Sequence, residues 1–204
     1  MTVADRAFFD VIRSKLFMGR LSARQVEGLK AILDFWSGHV PEGRADALAY
    51  VLATAFHETG ATMQPVRETL AKTDAAAISR LDAAFKAGRL PSVRTPYWRP
   101  DAEGKSWFGR GLVQLTHRRN YEAMSEVTGI DLVADPVRAM EMEVAVAILI
   151  EGMRRGSFTG RRLDDYFAPG RADWIGARRI INGQDRAPLV AGYGRAFAAA
   201  LRGL

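Results

Sequence analysis

The sequence predicts a mainly α-helical domain with little or no β-sheet. Apolar residues recur at helical spacing along most of the chain. Cap and stop residues fall where those periods begin and end. No repeat, low-complexity linker or break in composition divides the 204 residues, so one helix-rich domain is the economical reading.

The elements follow in order. Phe8, Phe9, Ile12 and Leu16 mark a short first helix. Ser22-Ala23-Arg24-Gln25 is a capping-box pattern opening a second helix. Its apolar face is Val26, Leu29, Ile32, Leu33 and Trp36, and Gly38 and Pro41 end it. Arg44 to His57 is apolar nearly all round, the mark of a central helix. Pro65 fits no helix interior, so a loop must lie between Glu58 and Glu68. Asp74 to Ala87 is amphipathic through Ala75, Ile78, Leu81, Ala84 and Phe85, and Gly88 stops it.

Arg89 to Lys105 is a long polar connection with Pro91, Pro96 and Pro100 and two aromatics of exposed type, Tyr97 and Trp98. Trp107 to Thr116 alternates glycine with apolar residues and reads as a short strand or tight turn. His117 to Thr128 is a helix ended by Gly129. Asp135-Pro136 starts another, running to about Arg155 with Met140, Val144, Ala147, Ile148 and Met153 buried. Leu163 to Phe167 is a turn of helix; Asp173 to Ile181 and Pro188 to Arg202 are the last two helices.

Composition narrows function. Hydrophobic residues make up 48% and charged residues 25%, the balance of a globular chain. There is no cysteine, which excludes a disulfide scaffold and a thiolate metal site. His39, His57 and His117 lack metal-ligand spacing, so no metal or other cofactor is expected. The formal net charge of +6 and a pI near 10.0 favour anionic partners: nucleic acid, anionic lipid or an anionic bacterial wall. The N-terminal Met1-Thr2-Val3-Ala4-Asp5-Arg6 carries an early acid with no apolar run behind it, so no signal peptide is expected. Val144 to Ile150 is too short to span a bilayer. Synthesis in the cytoplasm follows, with access to any wall substrate through a separate lysis protein.

Three stretches carry possible chemistry. Phe56-His57-Glu58-Thr59-Gly60 closes the apolar helix, with Glu68 ten residues on. A carboxyl leaving a buried helix beside a glycine turn is a site of desolvation, which suits a general acid. Glycoside hydrolysis uses two carboxyls, one protonated and one ionised. The same pair also reads as a helix-end Glu and a solvated loop Glu beside Arg67. The second stretch is Trp107 to Thr116 followed by Asn120-Tyr121. Its glycines admit close backbone approach to a ligand, and Gln114, Thr116 and Asn120 offer neutral groups for sugar hydroxyls or a water. The third is Arg178-Arg179-Ile180-Ile181-Asn182-Gly183, with Tyr193 and Arg195 after it. A basic helix there would suit nucleic acid, but no nucleic-acid module accompanies it.

Taken in order, Phe56-His57-Glu58-Thr59-Gly60, then Phe108-Gly109-Arg110-Gly111-Leu112-Val113-Gln114-Leu115-Thr116 with Asn120-Tyr121, then Ile180-Ile181-Asn182-Gly183 resemble the signature of glycoside hydrolase family 19. That family holds chitinases and related phage or bacterial endolysins. The resemblance runs from about Arg44 to Arg195, and the middle motif is its most specific part.

The resemblance implies a lysozyme-like, two-lobed helical fold with a cleft. It makes 1–204 one catalytic domain, in which N-terminal helices within 1–43 pack on a core of 44–204. It implies single-displacement, inverting cleavage of a β-1,4 bond beside an N-acetylated sugar. Glu58 matches the general acid, Glu68 the second carboxylate, and Thr116 the residue that holds the attacking water. Gln114, Asn120 and Asn182 match sugar contacts, as does His57 within its motif; Arg195 matches a cleft-lining arginine. Apart from the resemblance, Tyr97 and Trp98 in the Arg89 to Lys105 connection fit two readings, a cleft cap that stacks on sugar rings or a packing loop. Inversion expects carboxyls roughly 6.5–9.5 Å apart. Ala61 stands where many members have a second glycine. The short Glu58–Glu68 separation, the missing cysteines and the missing carbohydrate-binding module look like the endolysin branch. A monomeric peptidoglycan hydrolase is therefore expected, with no nucleic-acid partner and no stable membrane insertion. A chitin-oligomer hydrolase and a non-catalytic wall-binding protein of the same fold are the alternatives.

Overall fold

The computed structural model describes residues 3–202. Met1 and Thr2, the start of the stretch read for an export signal, lie outside the described residues, as do Gly203 and Leu204. The fold is mainly α. Seven α-helices and two two-stranded antiparallel sheets are present among the described residues. No helix among them is long and apolar enough to cross a membrane.

Helix α1 spans Val3–Lys15 and α2 spans Ala23–His39. The expected capping box is present: Ser22 Oγ accepts from the Gln25 amide at 3.2 Å, and Gln25 Oε1 accepts from the Ser22 amide at 2.9 Å. Helix α3, Ala45–Glu58, is the central element. Every residue from Ala47 to Phe56 is buried, which accounts for its unbroken apolar pattern. Full burial of a Val or Leu contributes about 1.5–3 kcal/mol, so a polar residue at Val51 or Leu52 would break the core. Helix α7, Ala187–Leu201, lies along α3; α1 packs on α7, and α2 packs on α6, Met142–Arg155.

Between Glu58 and Glu68 the expected loop is present, and it carries strand β1, Val66–Arg67. Strand β1 pairs with β2, Arg110–Gly111, with Val66 opposite Gly111 and Arg67 opposite Arg110. A 3₁₀ turn, Glu68–Leu70, leads to α4, Asp74–Lys86. Helix α5 is Arg118–Thr128, ended by Gly129 in the left-handed conformation. Strands β3, Phe167–Ala168, and β4, Arg171–Ala172, form the second small sheet.

Two hydrophobic cores are distinct. The large one gathers α1, α2, α3, α6 and α7. The small one is built from Ala71, Ala77, Leu81, Trp98 and Phe108. The segments 58–70 and 107–117 carry Glu58, Glu68, Gln114 and Thr116 of the expected site residues.

Three expected helices differ. The helix from Pro136 breaks at Glu141, whose ψ of 132° is extended, leaving a 3₁₀ turn over Pro136–Met140 before α6. That turn lies against Gly111, where a Cβ would meet the Ala139 carbonyl at 2.9 Å; tertiary contact overrides helical continuity. Met140 and Ala147, expected to be buried, are half-buried. Leu163 to Phe167 is helical only over Leu163–Asp165, because Phe167 enters a strand. Asp173 to Ile181 is a 3₁₀ turn over Gly176–Ile180 only. The Asp173 amide is tied to the Tyr166 carbonyl and its side chain caps Gly176, so the helix starts late.

Candidate active site

A cavity of about 300 Å³ opens at the C-terminal end of α3. Glu58, Gln114, Thr116, Asn120 and Asn182 all line it, with Phe158 on one wall. These five polar residues come from all three sequence stretches singled out above. A helix end, a tight loop and a 3₁₀ terminus thus converge on one opening.

Glu58 is the last residue of α3. Its surroundings differ from the expected apolar pocket. Arg178 Nη1 donates to Glu58 Oε1 at 2.7 Å, and the Arg178 side chain is only 3% exposed. Arg178 Nε donates to the Asp185 carbonyl at 3.0 Å, which fixes the guanidinium. Glu58 Oε2 has no protein hydrogen bond among the described residues. The sequence showed Arg178 only as part of a basic run; its burial turns that reading into an ion pair within the site.

The opposite wall is a tight turn. Arg110 and Leu115 exchange backbone hydrogen bonds at 3.2 and 2.9 Å, and Gln114 has φ 53° between them. Gln114 Nε2 donates to the Val66 carbonyl at 3.0 Å, and Asn120 Nδ2 to the Thr116 carbonyl at 2.7 Å. These bonds orient both amides at the cavity wall.

The glycines let the backbone of this turn pack closely. A Cβ on Gly109 would stand 2.7 Å from Gln114 Oε1. Arg110, 1% exposed, anchors the segment: Nη1 donates to Ser106 O at 2.8 Å and Tyr121 Oη at 3.0 Å, Nη2 to Asp74 at 2.7 Å, and its guanidinium lies 3.7 Å over the Phe108 ring.

Glu68 lies outside the cavity that Glu58 lines. It is bound to the same wall from the other side. Its amide donates to the Gly109 carbonyl at 2.7 Å, its Oε2 accepts from the Gly109 amide at 2.8 Å, and its Oε1 accepts from Tyr97 Oη at 2.8 Å. Burial, then the neighbouring Glu68 charge, push the Tyr97 phenol well above its ordinary range, so it stays a donor. Tyr97 also packs on His117 with ring centroids 4.5 Å apart.

The remaining expected contacts fall away from the cavity. Trp98 is fully buried, donates Nε1 to Asp82 at 2.9 Å and packs on Phe85 and Tyr97; it has no free face for a sugar ring. Its neighbour pattern in a proline-rich loop concealed the small core it fills. Tyr97 lines a separate surface pocket with His117. His57 packs near Tyr193 and does not line the cavity, and Arg195 is exposed elsewhere on α7. Burial holds the His57 imidazole below its ordinary value; Glu58 pulls the other way, while Arg178 and Arg186 reinforce the shift.

Two further features position the site and went unread in the sequence. Gly28, inside α2, lets the helix touch the loop after Glu58: a Cβ there would stand 1.7 Å from the Met63 carbonyl. Gln25 Nε2 donates to the Ala61 carbonyl at 2.9 Å, and Gln64 Nε2 to the Arg24 carbonyl at 2.6 Å. Backbone strain also concentrates here. Ala61, Met63, Thr69, Leu70, Gln114 and His117 all have positive φ without being glycine. The signal for the α2 contact was a glycine in a helix interior, which costs stability unless close packing needs it.

Among the described residues, no group of three or more His, Cys, Asp or Glu side chains could hold a metal ion. No protein-family model, curated protein or solved structure matches the chain.

Proposed function

We propose that this chain is an endolysin-like glycoside hydrolase that cleaves the β-1,4 bond between N-acetylated amino sugars of peptidoglycan, with inversion. The observation that carries the reading is the cavity at Glu58, where polar residues from three separated stretches meet. The order of those stretches resembles glycoside hydrolase family 19, and the net charge of +6 suits an anionic wall.

In this reading Oε1 of Glu58 stays paired with Arg178 while Oε2 takes up a proton from solvent and delivers it to the leaving glycosidic oxygen as the C1–O bond breaks. Arg178, holding Oε1, sets the direction of that oxygen. Water adds to C1 from the opposite face, held by Thr116 Oγ1, and its proton passes to a carboxylate. Glu68, the second carboxylate of the resemblance, is held behind the same wall through the Gly109 amide. Gln114, Asn120 and Asn182 supply hydrogen bonds to the sugar amide and hydroxyls.

Incubating the protein with purified peptidoglycan and, separately, with chitin oligomers tests this. New reducing ends from peptidoglycan are expected. Reducing ends from chitin alone would replace the reading with a chitinase. Retention on insoluble wall with no reducing ends from either would replace it with a wall-binding protein.

A further inference from the structure

A second cavity, about 640 Å³, lies apart from the one at Glu58. It is a groove between the start of α2 and the 62–72 segment. Its charged lining is Arg24, Arg67 and Lys72, with no carboxylate among the lining residues. Arg67 is paired with Asp74, but Asp74 also binds Arg110, so two guanidiniums face one carboxylate. Arg24 and Lys72 form no ion pair among the described residues; Arg24 reaches only Gln64 Oε1 at 3.4 Å. The groove therefore carries surplus positive charge held on a fixed frame.

Its rim carries an apolar feature as well. Thr69 and Leu70 have consecutive φ values of 61° and 53°, conformations disfavoured for residues with side chains. That turn leaves Leu70 59% exposed at the groove, and Arg80 fastens the turn through the Thr69 carbonyl at 3.0 Å. A strained backbone that presents an aliphatic side chain beside free cations suits a ligand with carboxylates and short aliphatic groups. The groove and the Glu58 cavity also share a wall. Val66 lines the groove, and its carbonyl holds Gln114, which lines the cavity.

We propose that this groove binds a short acidic peptide, the carboxylate-bearing branch of the amino-sugar polymer whose backbone enters the Glu58 cavity. The assignment of the peptide's source rests on the peptidoglycan reading above; the recognition itself rests on the groove. Arg24 and Lys72 meet carboxylates, and Leu70 meets an alanine-sized side chain. The groove would then select peptide-bearing polymer over bare glycan.

Calorimetric titration of the full chain tests this without any need for turnover. The probes are N-acetyl-alanyl-γ-glutamyl-alanine, the same peptide with both carboxylates amidated, and inorganic phosphate. Saturable binding of the acidic peptide is expected, about tenfold or more tighter than the amidated form and weakened by salt. The Arg24→Gln/Lys72→Gln double variant should lose about tenfold in that affinity, with circular dichroism unchanged. Failure of the acidic peptide to bind, equal affinity for both peptides, or unchanged affinity in the double variant would overturn the proposal. So would phosphate binding as tight as the peptide's, which would assign the groove to phosphate groups. Hydrolysis measured in parallel separates the two readings: peptide binding without hydrolysis sinks the enzyme and leaves the groove, and hydrolysis without peptide binding does the reverse.

Discussion

Glu58 and Glu68 sit ten residues apart and are held in opposite ways. Glu58 ends a buried helix, its orientation set by one enclosed guanidinium, with one carboxylate oxygen left for the cavity. Glu68 starts a strained 3₁₀ turn, both its oxygens accepting hydrogen bonds, from Tyr97 and from the Gly109 amide. The first is positioned by the core, the second by a loop that must itself be held by α2 and β2. A carboxylate fixed by the core tolerates change around it. One fixed by a loop depends on every contact that shapes the loop.

That contrast predicts a graded set of effects. The largest is at Glu58. Glu58→Gln keeps an acceptor for Arg178 but has no proton to deliver, so hydrolysis should fall about 10²–10⁴-fold, with a lower melting temperature because buried Arg178 loses its counter-charge, and with circular dichroism unchanged at assay temperature. Near-normal turnover in that variant would remove Glu58 from the mechanism. Next comes Gly28→Ala, which forces Met63 and the loop toward Glu68 to move. We expect a loss of roughly 2–3 kcal/mol in urea unfolding, together with a fall in turnover. A stable, fully active Gly28→Ala protein would mean that the α2 contact does not shape the loop.

Tyr97→Phe is milder. It removes one donor to Glu68 and leaves the Gly109 amide in place, so about 1–2 kcal/mol of stability should be lost. If Glu68 takes part in the reaction, the pH profile of turnover shifts in this variant; an unchanged profile makes Glu68 structural. The smallest effect concerns His57 and His117. Burial is the first cause that holds each imidazole below its ordinary value, with Arg178 and Arg186 adding to it for His57 and Arg119 for His117, while Glu58 and Glu68 oppose it. Unfolded imidazoles then protonate first as pH falls through about 6.5, so stability present above that value is lost below it. The His57→Gln/His117→Gln variant should show a flatter fall in melting temperature between pH 7.5 and 5.5. An identical slope would contradict the buried neutral state.

Much of the architecture was legible in the sequence. The Ser22–Gln25 capping box, the all-round apolar run of α3 and the Gly129 stop each follow from local chemistry. Where tertiary contacts decide, the pattern misled. Glu141 breaks a periodic helix because the preceding turn packs on Gly111, and Trp98 disappears into a small core made from a proline-rich connection. The same division runs through the site. Glu58, Gln114, Thr116, Asn120 and Asn182 meet at one cavity because each lies at the end of a regular element or in a tight turn. Arg178 was hidden because a buried arginine and a solvated one look alike in a basic run. The glycines of the middle stretch do mark sites of close approach: Gly109 lies against Gln114 and Gly111 against the Ala139 carbonyl.

The central claim is that the Glu58 cavity performs a single inverting displacement on peptidoglycan. Nuclear magnetic resonance of the first reducing end released from a defined peptidoglycan fragment tests it most directly. The account predicts the α-anomer as the initial product of a β-linked substrate. Initial release of the β-anomer would mean a retained configuration and would contradict it.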